Sequence, residues 1–321
     1  MWTSHADCES VISTVWVTIV DGTPMFQVVE KIKITRLRLL QWHRSTFKAT
    51  QQDIQSTRDQ LGIIWRQPCT DQTIAAFKAL SLQLDELLVR EEVYWQQRAK
   101  VAWLRDGDRN TRFFHQRANT RKQRNNIQGL IDSNGIWKEE SAAVQEIVVD
   151  YFTHLFTSNC RRREDIILNT VDPCLTPTMN ASLLIDFTEQ EVKHAVFQMY
   201  PTKAPGPDGM PPVFFQKYWH IVGNDVSRAI INFLSSGRLL HKINFTHVVL
   251  IPKVKNPKDM TQLRPISLCN VLFKIASKVL ANRLKIILPS LISPSQSAFV
   301  SGRLISDNSI LAAEIIYYLR S

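Results

Sequence analysis

Val248-Val249-Leu250-Ile251-Pro252-Lys253, followed after a short basic turn by Leu263-Arg264-Pro265-Ile266-Ser267-Leu268, is the stretch on which the fold is decided. Four consecutive branched or large apolar residues bounded by a proline read as a strand rather than a helix. Pro252 has no backbone N–H, so it cannot continue a ladder, and Lys253 falls at a strand end. Pro265 holds the backbone of Arg264 extended, which makes the second segment a strand as well. Two strands joined by a turn then place two cations side by side.

The neighbours on either side are helical. Downstream, Asn270 to Leu288 reads as an amphipathic helix with Leu272, Ala276, Leu280, Leu284 and Leu288 on one face and Lys274, Lys278 and Lys285 off it. Ser293 to Phe299 then leads through Gly302-Arg303 to Asp307, ahead of a helix from Ser306 to Arg320. Upstream, Pro205-Gly206-Pro207-Asp208-Gly209 is a dense turn: prolines fix φ, glycines permit positive φ, and Asp208 can accept from its own backbone. Taken alone it is a rigid loop closing a helix. Before it, Thr188-Glu189-Gln190-Glu191 forms a capping box opening a helix to Met199.

Further out, helices dominate. Leu37, Leu40, Phe47, Ile54 and Leu61 mark one seven-residue seam; Phe77, Leu80, Leu84, Leu87, Tyr94 and Val101 mark a second. With Gly62 and Pro68 between them, the pair reads as an antiparallel helical hairpin; two separate surface helices are the alternative. Asn134-Gly135 between apolar runs signals a β-hairpin, and Val144, Ile147, Val148, Tyr151, Phe152 and Leu155 form the apolar face of the next helix. The expected class is α+β and helix-rich. Residues 1–25 read as a remnant after a missing upstream domain. A helical region with a basic stretch and a β-hairpin covers 26–158, a linker 159–180, and a mixed domain 181–321.

The chain carries 39 basic against 29 acidic residues, a net charge of +10 and a pI near 9.5. From Arg98 to Arg124 nine Lys or Arg stand against two acids, so the excess is concentrated as a polyanion binder has it. Arg105, Arg109 and Arg112 fall at helical spacing, as do Arg117, Arg121 and Arg124, with Trp103, Phe113, Phe114 and His115 interleaved. Gly107 is expected to break the helix, so one continuous arginine stripe is not expected. Stacking plus phosphate neutralisation is how single strands and structured RNA are held; a solvated face over buried aromatics is the alternative. The five cysteines are odd in number and far apart, without zinc-ligand spacing. No targeting or membrane segment is visible, and a nuclear or cytoplasmic protein is expected.

Taken in order, Lys203 to Gly209, Val248 to Lys253, Leu263 to Leu268, the 270–288 helix and the Gln296-x-x-Phe299-x-x-x-Arg303 pattern resemble the fingers region of a reverse transcriptase from a LINE-type (non-LTR) retrotransposon. The resemblance is nearest to the plant elements, whose segment between endonuclease and polymerase is similar to Trp103–His115. The resemblance implies that Lys253 and Arg264 contact the incoming nucleotide's phosphates, with Lys255 as a competing lysine, and that Gln296 and Arg303 lie along the template. Phe299 would be a core anchor, and Gly206, Asp208 and Gly209 the turn at the start of the fingers. Met210 and Ser301 depart from the family, which often has an aromatic residue and a proline there.

Implied partners are an RNA template and RNA/DNA hybrid, with a deoxynucleotide triphosphate and Mg²⁺ in the complete enzyme. Polymerisation uses carboxylates that hold two metal ions. The family's aspartate-bearing strand and Ala-Asp-Asp hairpin do not occur in this sequence, so no catalytic or metal-ligating residue and no bound cofactor are expected of this chain. It reads as a polymerase fragment inactive alone; a non-enzymatic nucleic-acid-binding relic or domesticated protein is the alternative.

Overall fold

The computed structural model describes residues 5–46, 50–99, 111–158, 174–293, 296–297, 300 and 302–320. Arg105, Arg109, Trp103, Phe299 and the basic run Arg161–Arg163 lie outside the described residues. The chain is helix-rich with two small antiparallel sheets, the α+β class expected. It divides into two compact units, which are taken separately.

The first unit comprises Met1–Val20, Glu30–Thr157 and His247–Leu268. Helix α1 (Ala6–Trp16) buries Cys8, Ile12, Val15 and Trp16. In α2 (Pro24–Thr46), Lys31 donates to the Trp16 carbonyl at 2.9 Å while its ammonium lies over the Trp16 ring. Helices α3 (Thr50–Trp65) and α4 (Asp71–Ala99) pack together across the short 66–70 connection, so they run antiparallel. Ile54 and Leu87, one from each seven-residue seam, are buried there. Gly62 does not interrupt α3. The turn is set further on, where the Thr70 and Thr73 hydroxyls each accept from the other's backbone N–H and cap α4. Helix α5 (Thr111–Arg124) packs on α4.

Strands β1 (Leu130–Ile131) and β2 (Trp137–Lys138) form the hairpin that Asn134-Gly135 signals. Asp132 closes it by accepting from the N–H groups of Asn134 and Ile136, both at 2.9 Å, and Gly135 takes φ 79°. Strands β3 (His247–Pro252) and β4 (Leu263–Leu268) form a second antiparallel ribbon in which Ile251 faces Arg264. The Ile131 N–H donates to the Lys258 carbonyl and ties the hairpin to the ribbon's turn. Helix α6 (Ser141–Phe156) covers this junction: Val144, Ile147, Val148 and Phe152 pack on Leu130, Met260 and Leu263, joined by Leu250. Tyr151 and Leu155, expected on that apolar face, are exposed, as are Val149 and Phe156.

The second unit comprises Asp21–Val29, Ser158–Thr246 and Cys269–Ser321. Its helices are α7 (Pro177–Leu184), α8 (Glu189–Phe197), α9 (Pro212–Lys217), α10 (Trp219–Ser236), α11 (His241–Asn244), α12 (Val271–Leu291) and α13 (Ile305–Arg320). Helices α8, α10 and α12 pack on one another around Val192, Ala195, Val226, Ile230, Ile275 and Val279. The buried face of α12 differs from the five-residue series expected. Leu272 and Ala276 are buried, but Leu280 and Leu284 are 44% and 45% exposed, and Val271, Ile275, Val279 and Ile287 take the core instead. A four-residue step overshoots one helical turn by about 40°, so the series from Leu272 has rotated off the core by Leu280. Among the described residues no helix is long and apolar enough to cross a membrane, and Cys8, Cys69, Cys174 and Cys269 are free thiols.

Candidate nucleic-acid and nucleotide interfaces

Helix α5 displays Arg112, Arg117, Arg121, Lys122 and Arg124, and all five are exposed. From Thr111 to Ile131 the sequence contains no acid. Among the described residues none of the five forms an ion pair with a carboxylate. Arg117, Arg121 and Arg124 share one stripe at spacings of four and three; Arg112, His115, Asn119 and Lys122 share another. Phe114 is buried and anchors the helix. Charge of the other sign is held elsewhere in this unit. An open groove of about 690 Å³ beside the hairpin is lined by Asp132, Glu146, Asp150 and Asp259, with Lys138 the basic group among them.

On the β3–β4 ribbon the register decides which side each cation takes. Leu250 and Leu263 face the core, so the alternate residues Val249, Ile251 and Lys253 on one strand, and Arg264 and Ile266 on the other, share the outward face. Arg264 is exposed opposite Ile251, and Lys253 lies one diagonal step away, a separation of about 7–8 Å between backbone positions. The ladder reaches one residue past Pro252, because the Lys253 N–H donates to the Gln262 carbonyl at 2.8 Å. Lys253 Nζ also donates to the Thr261 carbonyl at 2.6 Å. Hydrogen bonds from Thr261 hold the Asp259 carboxyl below its usual range, and the nearby Lys253 charge adds to this. Lys255 is exposed in the turn.

In the second unit the Pro205–Gly209 turn is built on the start of α12. The Gly209 N–H closes the turn on the Gly206 carbonyl, Asp208 accepts from the Met210 N–H at 3.2 Å, and Gly209 takes φ 75°. Asn270, almost fully buried, accepts from the Asp208 N–H and donates to the Lys242 and Ile243 carbonyls. Gly206 lies so close that an added Cβ would sit 2.5 Å from the Asn270 nitrogen. Lys274 donates to the Ala204 carbonyl at 3.0 Å. Burial, helped by Lys203, pulls its ammonium below the usual lysine value.

Of the two template candidates, Gln296 is exposed, whereas Arg303 is half-buried and held by backbone. The Arg303 guanidinium donates to the carbonyls of Pro289, Ile292, Ser293 and Gln296. It thereby satisfies the carbonyls at the end of α12 and in the loop beyond it, where a helix leaves acceptors without partners and its dipole favours a cation. Sequence reasoning missed Arg283 altogether. Its guanidinium bonds Glu191 and the carbonyls of Leu183, Ile185 and Asp186, and stacks on the Phe187 ring at 3.8 Å. No local pattern singles it out, since it occupies one more polar position on a lysine-bearing helix. Among the described residues no three His, Cys, Asp or Glu side chains are grouped to hold a metal ion.

No protein-family profile matches the chain. It is 28% identical over 229 residues to the transposon TX1 uncharacterized 149 kDa protein of Xenopus laevis, a match covering 70% of this chain and 17% of that protein. It is 32% identical over 82 residues to the retrovirus-related Pol polyprotein from type-1 retrotransposable element R2 of Bradysia coprophila, covering 25% of this chain and 9% of the polyprotein. The chain thus spans less than a fifth of the length of either relative. Both relatives are proteins of mobile elements, and the likeness supports an origin for this chain in a non-LTR, LINE-type retrotransposon.

Proposed function

We propose that this chain is the RNA-holding part of a retrotransposon reverse transcriptase, binding RNA along α5 and carrying the nucleotide-contacting cations Lys253 and Arg264 on the β3–β4 ribbon. The observation that carries the reading is the charge of α5: five exposed cations on a 14-residue helix with no acid of its own. The likeness to a Pol polyprotein supports a nucleic-acid partner in general. Arg264 suits a phosphate, since its planar fork can bind two oxygens at once, while Lys253 acts as a point charge. Both stand on an exposed face with Val249 and Ile266.

The test is RNA affinity as a function of salt. Each phosphate neutralised steepens the logarithmic salt dependence by about 0.7 for a single strand. Replacing Arg112, Arg117, Arg121 and Arg124 together with Gln is expected to flatten the slope by roughly that amount per lost contact. An unchanged slope moves RNA off α5 and overturns the reading.

A further inference from the structure

Where α5 lies against α4, the basic helix meets a group of aromatic rings. The Trp95 and His115 ring centroids are 4.2 Å apart with a 59° tilt. Tyr94 stands edge-on to Trp95 at 5.2 Å, and the Arg98 guanidinium covers the Tyr94 ring at 3.6 Å. Tyr94 and Trp95 are half-buried, while His115 and Arg98 are exposed. We propose that Trp95 and His115 form a stacking platform for an unpaired base, so that the RNA held by α5 is single-stranded at this point. This rests on α5 being the RNA-binding element.

The surroundings suit a nucleotide rather than a bare phosphate. Arg112, Asn119 and Lys122 flank His115 on its own face of α5, one and two turns away. The Asn119 side-chain amide is 3.2 Å from His115 Nδ1. A base laid on the His115 and Trp95 rings would have an amide at its edge for hydrogen bonding and cations on both sides for its phosphates. Glu91 and Glu92 stand about one turn earlier on α4 and repel phosphate, which directs the backbone toward α5. A regular duplex keeps its bases stacked on one another and offers no free face to such rings.

The experiment compares the full chain's affinity for a short labelled oligo(A) and for a blunt RNA duplex of equal length, at one salt concentration. Wild type is expected to prefer the single strand. His115→Ala, at an exposed position, is expected to weaken oligo(A) binding roughly 5- to 150-fold, the range stacking energies of about 1–3 kcal/mol give, without changing duplex affinity or the salt slope. Trp95→Phe, which keeps a ring, is expected to retain most of the affinity. An oligomer carrying abasic sites should bind wild type as weakly as oligo(A) binds His115→Ala. Equal losses for both RNAs, no loss at all, or a wild-type preference for duplex overturns the platform while leaving α5 as the RNA site. Loss of neither RNA in the α5 glutamine variant overturns both.

Discussion

Arg283 grips the Glu191 carboxylate through both oxygens, Nε to Oε1 at 2.7 Å and Nη2 to Oε2 at 3.0 Å, across 92 residues of sequence. Glu191 also completes the capping box of α8, accepting from the Thr188 N–H at 2.8 Å while the Thr188 hydroxyl accepts from its own N–H. One carboxylate therefore fixes the start of a helix and the place of that helix against α12. The remaining Arg283 donors hold the carbonyls between α7 and α8, so the guanidinium organises the whole α7–α8 corner.

This pair sets a pH dependence. The Arg283 hydrogen bonds, aided by Thr188, lower the Glu191 pKa from 4.5 to about 2. A carboxyl whose folded value is depressed contributes its stability in full above its unfolded value. It loses that contribution as pH falls from about 4.5 toward 2. With the Glu191 side chain 32% exposed, solvent screening reduces the effect to about 1–2 kcal/mol. Thermal melts of Glu191→Gln should be less stable than wild type at neutral pH and should converge on it in acid. Parallel curves at every pH would show that the pair does not contribute.

Arg283→Ala should cost more, about 3 kcal/mol, because it leaves a partly buried carboxylate and three carbonyls without their donor. Arg283→Lys should recover little of this, since an ammonium cannot reproduce a bidentate fork and a stack on Phe187 together. Urea midpoints of the two variants that differ widely would overturn that account.

Gly206 and Gly209 should respond differently to alanine. At Gly206 the obstacle is backbone, the Asn270 nitrogen and Cα at 2.5 and 2.6 Å from the new Cβ, so the turn must lift off α12. At Gly209 the obstacle is φ 75°. The left-handed region costs a non-glycine residue about 1–2 kcal/mol, whereas the Gly206 clash should cost at least about 2–3 kcal/mol through strain and the loosened Asn270 contacts. Equilibrium unfolding that ranks Gly209→Ala as the worse variant would count against this docking of the turn.

In a complete polymerase containing this segment, Arg264→Ala should lower kcat/KM for the nucleotide roughly 10- to 100-fold with template affinity nearly intact, the loss expected for a charged phosphate contact of about 1.5–3 kcal/mol. Lys253→Ala and Lys255→Ala, compared in the same assay, decide between the two lysines. A weakened template Kd with unchanged nucleotide kinetics would remove the ribbon from the nucleotide site.

Arg303→Ala should lower the melting temperature, because four backbone carbonyls after the core of α12 lose a common donor. Gln296→Ala should leave stability unchanged, its side chain being exposed. If Arg303 serves only the fold, RNA affinity measured on the still-folded variant will match wild type; a drop there would give it a template role as well.

The sequence by itself determined the local features. The Thr188–Glu191 box, the Asn134-Gly135 hairpin and the Pro205–Gly209 turn each depend on residues within a few positions of one another, so composition and spacing carry their geometry. The acid-free charge of α5 was legible in the same way, and the α3–α4 pairing was legible in part: Ile54 and Leu61 of the first seam lie on α3, whereas Leu37 and Leu40, read as part of the same helix, lie on α2. Tertiary structure alone decided the long-range partners of those pieces. Arg283 reads as an ordinary polar helix residue until the α7–α8 corner arrives 92 residues away to receive it. Gly206 needs to be glycine because Asn270 is packed against it. Trp95 belongs with His115 only because α4 and α5 fold together, and the core face of α12 was set by which side its partner helices covered. A helix's own periodicity fixes which residues share a side but only approximately where that side faces, since long-range burial, not local hydrogen bonding, sets its rotation about its axis.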